Sequence, residues 1–309
     1  LDFIGHSEII KRFDNSIEKH ALSHAHLIIG EDGIGKSILA KKFASKIMGK
    51  IDFKEYIDIV NYRTNKSSFG VDEVRGIITE VNKKPYEGDK KVIIIYEGNK
   101  LTVQAQNALL KTIEEPPKGV YIIILCESAE LILDTIKSRC QVHKLFPLKE
   151  AEIEMFIENK YPSIDKELKK TLISFSEGIP GKAEKFIGDS GFEEIRNMVL
   201  QLMRDINSHN EDIILKYEPI ISKYDGKEED IFTIIISFVR DIIIYKELQD
   251  VTYIINRDKL EDIKDLSNMM AYKKLRGIIG VIDETRINLR SNTNPQMTFN
   301  VMMISLLEV

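Results

Sequence analysis

Apolar residues recur along this chain in two rhythms, and the change from one to the other divides it. From Ser7 to Glu18 they fall at Ile9, Ile10, Phe13 and Ile17, the stripe of an amphipathic helix. His26-Leu27-Ile28-Ile29 is then a short apolar run. So are Val92-Ile93-Ile94-Ile95 within Lys91 to Tyr96 and Tyr121-Ile122-Ile123-Ile124-Leu125, while Tyr56-Ile57-Asp58-Ile59-Val60, interrupted by Asp58, reads as a further strand. Unbroken runs of this length suit parallel strands covered on both faces. Helical patterns separate them: Asp72 to Val81 with Val71, Val74, Ile77, Ile78 and Val81 on one side, and Thr102 to Glu115, ended by Pro116 and Pro117. Pro85-Tyr86-Glu87-Gly88-Asp89 reads as a turn. This alternation predicts an open α/β domain with a parallel sheet and a ligand at the carboxyl ends of its strands. Beyond Pro147 the strand signals stop. From Glu150 the pattern is helical almost to the end, interrupted by Gly178-Ile179-Pro180-Gly181.

The first strand runs into Gly30-Glu31-Asp32-Gly33-Ile34-Gly35-Lys36-Ser37, which fits G-x-x-x-x-G-K-[ST], and an amphipathic helix follows. Glycines let successive backbone N–H groups wrap a phosphate, and the helix N-terminus favours the anion. Lys36 would put a point charge on the β/γ-phosphates and the Ser37 hydroxyl would ligate Mg²⁺. With strand, loop and helix in register, Gly30, Gly33, Gly35, Lys36 and Ser37 read as a phosphate-binding loop for ATP or ADP, with Mg²⁺ when nucleotide is bound.

Composition narrows the picture. The 309 residues suffice for two or three domains, and 43% apolar with 30% charged residues is ordinary for a globular protein. A net charge of −5 argues against a strongly basic nucleic-acid binder, so any DNA contact should be local or shared with partners. The longest apolar run, Ile231 to Val239, is too short to span a bilayer, and no signal peptide is expected. The only cysteines are Cys126 and Cys140, which suits a reducing, cytoplasmic setting and excludes a four-thiolate zinc site. His24 and His26 have no acidic or thiolate companion in sequence, so they read as structural rather than as metal ligands.

Hydrolysis needs a second motif, an apolar strand ending in an aspartate that orders Mg²⁺. The strand Val92 to Ile95 runs instead into Tyr96-Glu97. A neutral phenol is a poor Mg²⁺ ligand. Glu97 could polarise a water, or be only a solvated strand-end residue. Phosphate binding is therefore predicted more firmly than hydrolysis.

Asn107-Ala108-Leu109-Leu110-Lys111-Thr112-Ile113-Glu114-Glu115-Pro116-Pro117, followed by Ser138-Arg139-Cys140, resembles the bacterial clamp-loader ATPase subunits of the AAA+ class. Gly5-His6, His24-Ala25-His26, Arg75 within Val71 to Arg75, Lys83 to Gly88, Gly178 to Ala183 and Asn294-Pro295-Gln296 extend the resemblance along the chain. It implies an AAA+ domain over 1–147, a small helical lid over 148–189 and an all-α collar over 190–309. Stripes such as Ile214, Ile220 and Ile221, and the run from Ile231 to Tyr245, would close the collar's own core and pack against sister subunits. Within the family the pattern resembles the delta prime branch more than the tau/gamma branch. Tyr96 replaces the metal-ordering aspartate, and Gly181 stands where the lid helix should carry a second-sensor arginine. The usual cysteine-rich zinc module is missing, Met48 to Tyr56 having no cysteine, so no zinc is expected.

The resemblance further implies that Arg139 reaches in trans into a neighbour's ATP site. From residue chemistry alone, an arginine paired with an acidic neighbour would be the simpler reading. The implied partners are tau/gamma and delta subunits, the sliding clamp and primer-template DNA, with Lys66, Arg75 and Lys111 as candidate phosphate contacts. Cys140 would be a packed small residue beside the finger. Two other readings stand beside this one. The first is an active tau/gamma-type motor using Glu97; the second is a nucleotide-gated adaptor outside replication.

Overall fold

The computed structural model describes residues 3–50, 56–188, 190–208, 212–223, 228–291 and 293–309. The chain gathers into two compact units, one reaching to Lys160 and including Ser176–Lys182, the other made of Tyr161–Phe175 and Ala183–Val309. The stretch expected as a lid is shared between them.

In the first unit, α1 (Ser7–Glu18) leads to β1 (Ala25–Ile29), α2 (Lys36–Ile47), β2 (Ile59–Tyr62), α3 (Val71–Val81), β3 (Lys91–Ile95) and α4 (Val103–Glu114). Then come β4 (Val120–Cys126), the short α5 (Asp134–Lys137), β5 (Gln141–Lys144) and α6 (Glu150–Lys160). The five strands are all parallel, in the order β2-β3-β4-β1-β5. Because successive strand residues point to opposite faces, each run serves two cores. Leu27, Ile29, Ile93, Ile95, Ile122 and Ile124 meet Val74, Ile77, Leu109 and Ile113 of α3 and α4. Ile28, Val92, Ile94, Ile123 and Leu125 meet Phe13 of α1 and Leu39, Phe43 and Ile47 of α2, with the Phe13 and Phe43 rings stacked.

The helix ends follow their sequence signals. Thr102 Oγ1 accepts the Ala105 N–H and starts α4, while the Glu73 carboxylate folds back onto the Gly70 N–H at the start of α3. Two sequence expectations need correction. The strand expected over 56–60 begins at Ile59, because the buried Asp58 side chain instead accepts the Tyr86 and Glu87 N–H groups, 2.8 Å each, and pins the predicted turn. The fifth strand, Gln-Val-His-Lys, was not expected at all. It is an edge strand with one side exposed and carries no apolar run, yet it pairs with β1 over His26↔Gln141 to Ile29↔Lys144. Residues 51–55, within the stretch where a cysteine module is missing, lie outside the described residues.

The second unit is helical: α7 (Lys166–Ser176), most of α8 (Pro180–Gly188), α9 (Ser190–Asn207), α10 (Ile213–Ser222) and α11 (Glu228–Leu248), then α12 (Leu260–Met269), α13 (Tyr272–Arg290) and α14 (Pro295–Glu308). The apolar run at 231–239 is a buried part of α11, as its pattern predicts. In α10 the fully buried positions are Ile213 and Tyr217, with Ile214 and Ile220 half-buried; the Ile221 side chain lies outside those described. Asn294 caps α14 through the Met297 N–H, with Pro295 at the first helical position. Among the described residues, no helix is long and apolar enough to cross a membrane.

Candidate functional site

The all-buried strand β1 delivers Gly30 to the carboxyl edge of the sheet, where the Gly30 N–H is held by the Cys126 carbonyl of β4 at 3.1 Å. Gly33 (φ 81°) and Gly35 (φ 103°) take left-handed conformations that side chains disfavour, and α2 starts directly after the second. All five predicted phosphate-loop residues, Gly30, Gly33, Gly35, Lys36 and Ser37, thus fall in one strand–loop–helix turn. Lys36 Nζ donates to the Gly30 and Glu31 carbonyls, 2.8 Å each, so its charge rests on the loop's own backbone. Burial lowers the Lys36 pKa, opposed by the negative charges of Asp32, Glu127 and Glu31. Ser37 stands half-buried in the first turn of α2.

The segment Ser176–Lys182 closes over this loop. Ile179 joins the cluster around Ile34 and Leu145, and the Gly181 N–H donates to the Gly33 carbonyl at 2.9 Å. A Cβ on Gly181 would lie 2.5 Å from Gly33 Cα, so no side chain, arginine included, fits that position in this arrangement. Lys182 pairs with Glu177 and lies 4.0 Å from Glu31. Against Gly35 stands the Phe3 ring, 3.1 Å from where a Cβ would be.

At the end of β3, Tyr96 is buried and its hydroxyl donates to Asn61 Oδ1 at 3.0 Å. The Arg63 guanidinium lies 3.6 Å from the ring centroid. Burial raises the phenol's pKa, which outweighs the pull of Arg63, so Tyr96 is neutral at physiological pH. Glu97 is in a left-handed backbone conformation; it lies 3.6 Å from Arg63 and accepts the Thr64 N–H at 3.4 Å. With a phenol at the carboxylate's place and Glu97 turned to Arg63, β3 does not supply the donor set of a firmly held Mg²⁺; Ser37 is the one expected ligand still in position. Asn61 and Arg63 are site residues that sequence reasoning missed. Their signal was the register: β2 ends opposite β3, Tyr62 against Ile95, which places Arg63 beside Tyr96.

Arg139 lies far from that constellation in chain position, just past α5. It is exposed, donating to the Thr135 carbonyl at 3.0 Å and lying 3.2 Å from Glu114 of α4. The Asn107 to Pro117 motif and Ser-Arg-Cys therefore touch each other. Buried Gln106, also unanticipated, holds this corner: its amide donates to the Leu101 and Leu131 carbonyls and its oxygen accepts the Leu133 N–H at 2.8 Å. Cys140 is half-buried against the core, and burial pushes its thiol up to about 12. Cys126 is buried, and neither cysteine is in a disulfide.

His24 bonds the Ile113 carbonyl and His26 bonds His143, 3.1 Å away. Among the described residues, no three His, Cys, Asp or Glu side chains gather as a metal would need. Of the candidate DNA contacts, Lys66 pairs with Glu73 and Arg75 with Asp72, whereas Lys111 is exposed on α4.

Comparison with known proteins agrees with this architecture. DNA polymerase III subunit delta prime of Bacillus subtilis (strain 168) is 25% identical over 320 aligned positions, covering 97% of this chain and 95% of its own. Subunit tau of the same organism is 23% identical over 344 positions, 99% of this chain and 61% of its own length. A replication factor C small subunit of Methanococcus maripaludis (strain C5) is 31% identical over 168 positions, 54% of this chain and 51% of its own. The crystal structure of a DNA polymerase III gamma subunit-related protein from Thermotoga maritima superposes with a TM-score of 0.51 at 16% identity, covering 97% of this chain and 98% of that one, a likeness of fold. Residues 5–149 match the family described as DNA polymerase III, delta subunit, and residues 191–307 match its C-terminal part. Taken with the AAA+ sheet and the Ser-Arg-Cys corner, these matches establish that the chain belongs to the family of DNA polymerase III clamp-loader subunits, proteins of DNA replication.

Proposed function

We propose that this chain is a delta prime-like stator of the clamp loader. It helps load the sliding clamp onto primer-template DNA in the cytoplasm and donates Arg139 to the ATP site of a neighbouring subunit. The observation that carries this reading is a contrast within the first unit. The place of the metal-ordering carboxylate is filled by Tyr96, bonded to Asn61 and covered by Arg63, while Arg139 stands exposed on its own corner. A guanidinium keeps its charge and presents a planar fork to phosphate oxygens, which suits a finger supplied in trans. Its ion pair with Glu114 is solvent-exposed, so the pair costs little to break on assembly. The chain's own P-loop, through Gly30, Gly33, Gly35, Lys36 and Ser37, holds ATP or ADP as a structural ligand with little or no turnover. Tau/gamma and delta subunits are its partners. The clamp and DNA are met within the assembled complex, and 190–309 serves as the collar.

The test is reconstitution with matching tau/gamma and delta subunits, recording clamp- and DNA-stimulated ATPase. Arg139→Ala should assemble normally and lower turnover by about 10³-fold or more at the site it serves. Unchanged turnover in an intact complex would make Arg139 structural. Turnover by the isolated chain that Lys36→Ala removes would instead favour a motor of the tau/gamma kind.

A further inference from the structure

We propose that the guanidinium of Arg63 stands in for the divalent cation of a P-loop site, so that this chain binds the phosphates of an adenine nucleotide without needing a metal. The inference rests on the nucleotide-binding reading above and concerns what neutralises the phosphates there.

The geometry begins with strand register. Ile95 of β3 lies opposite Ile124 of β4, and Ile28 of β1 opposite Leu125, so Tyr96, Leu125 and Ile28 stand level at the carboxyl edge. Only β4 separates β3 from β1, which puts the backbone of Tyr96 about 10 Å from the strand that feeds the phosphate loop. The Tyr96 side chain belongs to the same cluster as Ile34, Leu39 and Ala40, on the face where α2 packs. Arg63 lies against that ring, just past the end of β2, and is therefore held on the face where α2, whose first residues are Lys36 and Ser37, packs.

Three features make this guanidinium a built-in cation. It is anchored on one side by the Tyr96 ring, and cation–π contact of this kind holds position as well as charge. Glu97 lies 3.6 Å away and attracts it from a second side. The Arg63 side chain is nonetheless 54% exposed, so part of its N–H fork is free for a phosphate oxygen. Glu97, the carboxylate that could otherwise draw a metal ion to the strand end, is already engaged by Arg63 and the Thr64 N–H. Tyr96 also explains itself: a flat, neutral ring is the surface a guanidinium stacks on, where an aspartate would attract an ion. Two charges acting on phosphate oxygens, Lys36 and Arg63, would then replace the lysine-plus-metal arrangement.

The experiment is equilibrium binding of a fluorescent ADP analogue to the full chain, once with Mg²⁺ and once with EDTA. The variants are Lys36→Ala, Arg63→Ala and Arg63→Lys, each checked by thermal melting. We expect wild-type affinity to agree within about twofold between the two buffers. Arg63→Ala should bind about tenfold or more weakly in EDTA and regain affinity on adding Mg²⁺, since Glu97 is released; Arg63→Lys, which keeps the charge but not the stacked planar fork, should fall between wild type and Arg63→Ala in EDTA. A wild-type affinity that falls tenfold or more in EDTA, but is still removed by Lys36→Ala, would leave the nucleotide site standing and overturn the role of Arg63. Equal EDTA affinities for wild type and Arg63→Ala would overturn it as well. Absence of binding in both buffers would sink the nucleotide reading and this inference together.

Discussion

The Gly181 amide and the Gly33 carbonyl are joined by a 2.9 Å hydrogen bond; Gly181 has no room for a Cβ, and Gly33 sits at φ 81°, where a side chain would be strained. On the Gly181 side the nearest obstacle is backbone, Gly33 Cα at 2.5 Å, and backbone cannot swing aside as a flexible side chain can. Gly181→Ala should therefore push the segment off the phosphate loop, costing about 1–3 kcal/mol as an overpacked contact. Amide exchange at residues 181 and 182 should speed up by tenfold or more, and the thermal midpoint should fall by several degrees. Gly181→Arg should do the same and should not create hydrolysis, because the carboxylate missing at Tyr96 is not restored by it. A substituted protein with unchanged exchange would mean that the two segments part readily and that the close approach carries no weight.

Arg139 and Glu114 give a second expectation, which separates a surface ion pair from a donated finger. The pair is solvent-exposed, so Glu114→Gln should change the stability of the isolated chain by less than about 1 kcal/mol. In the reconstituted loader it should leave ATPase near wild type, since only the resting partner of the arginine is removed. Arg139→Ala should be equally mild in isolation and severe in the complex. Urea unfolding of the isolated chain and turnover of the complex decide it; equal losses for both variants in the complex would show that the pair itself, rather than the free guanidinium, is what matters.

Much of this was legible in the sequence, and the parts that were not share a cause. The phosphate loop, β1, β3, β4 and α11 announce themselves through local patterns, because glycine conformations and unbroken apolar runs depend on near neighbours. β5 escaped because its pairing with β1 is made by residues over a hundred positions apart, and its exposed edge needs no apolar run. Asp58 falls in a stretch whose pattern predicts a strand, yet its side chain caps a turn nearly thirty residues on. Arg63 and Asn61 became site residues only through the register of β2 against β3. Arg139 and Glu114 each stand out in sequence motifs, but that they touch follows from how α4 and α5 meet at Gln106.

In the helical unit Arg196 is fully buried, and its charge is met by a two-pronged pair with Asp258, 2.7 Å at each prong, together with Glu193 and Asn256. Asp258 in turn accepts the Thr171 hydroxyl, and Asn256 donates to Asp241, so α7, α9, α11 and the approach to α12 are tied through one network. Removing one member leaves an uncompensated buried charge, the costly case for such pairs. Arg196→Met should lower unfolding free energy by about 3–5 kcal/mol. Combining it with Asp258→Asn should recover part of that loss, because the orphaned carboxylate is gone. Chemical denaturation of Arg196→Met, Asp258→Asn and the double variant tests the coupling; a double variant as poor as the sum of both singles would show that the pair is not the link.

His26 and His143 make the first unit sensitive to acid. Their ring nitrogens lie 3.1 Å apart among Phe13 and Phe43, and among the described residues His26 Nε2 has no hydrogen-bond partner. Burial, with the nearby His143, takes His26 from 6.5 down to about 3; burial, with Arg12, takes His143 down to about 4. A base whose folded pKa is depressed binds fewer protons folded than unfolded, so stability is complete above the unfolded value and drains as pH falls below it. The window therefore opens at about pH 6.5 and closes near pH 3–4. At pH 5.5 each histidine should already cost about 1 kcal/mol relative to neutrality. Carboxylates held low in the fold begin to lose their contributions only from about pH 5 downward, so the upper part of the window belongs to the histidines lowered by burial, this pair together with half-buried His6. Unfolding curves at pH 7.5 and 5.5 should show the drop in wild type and a smaller one in His26→Leu, which keeps an apolar side chain at the position and removes the closer-held proton site. Equal drops in both proteins would place the acid sensitivity elsewhere.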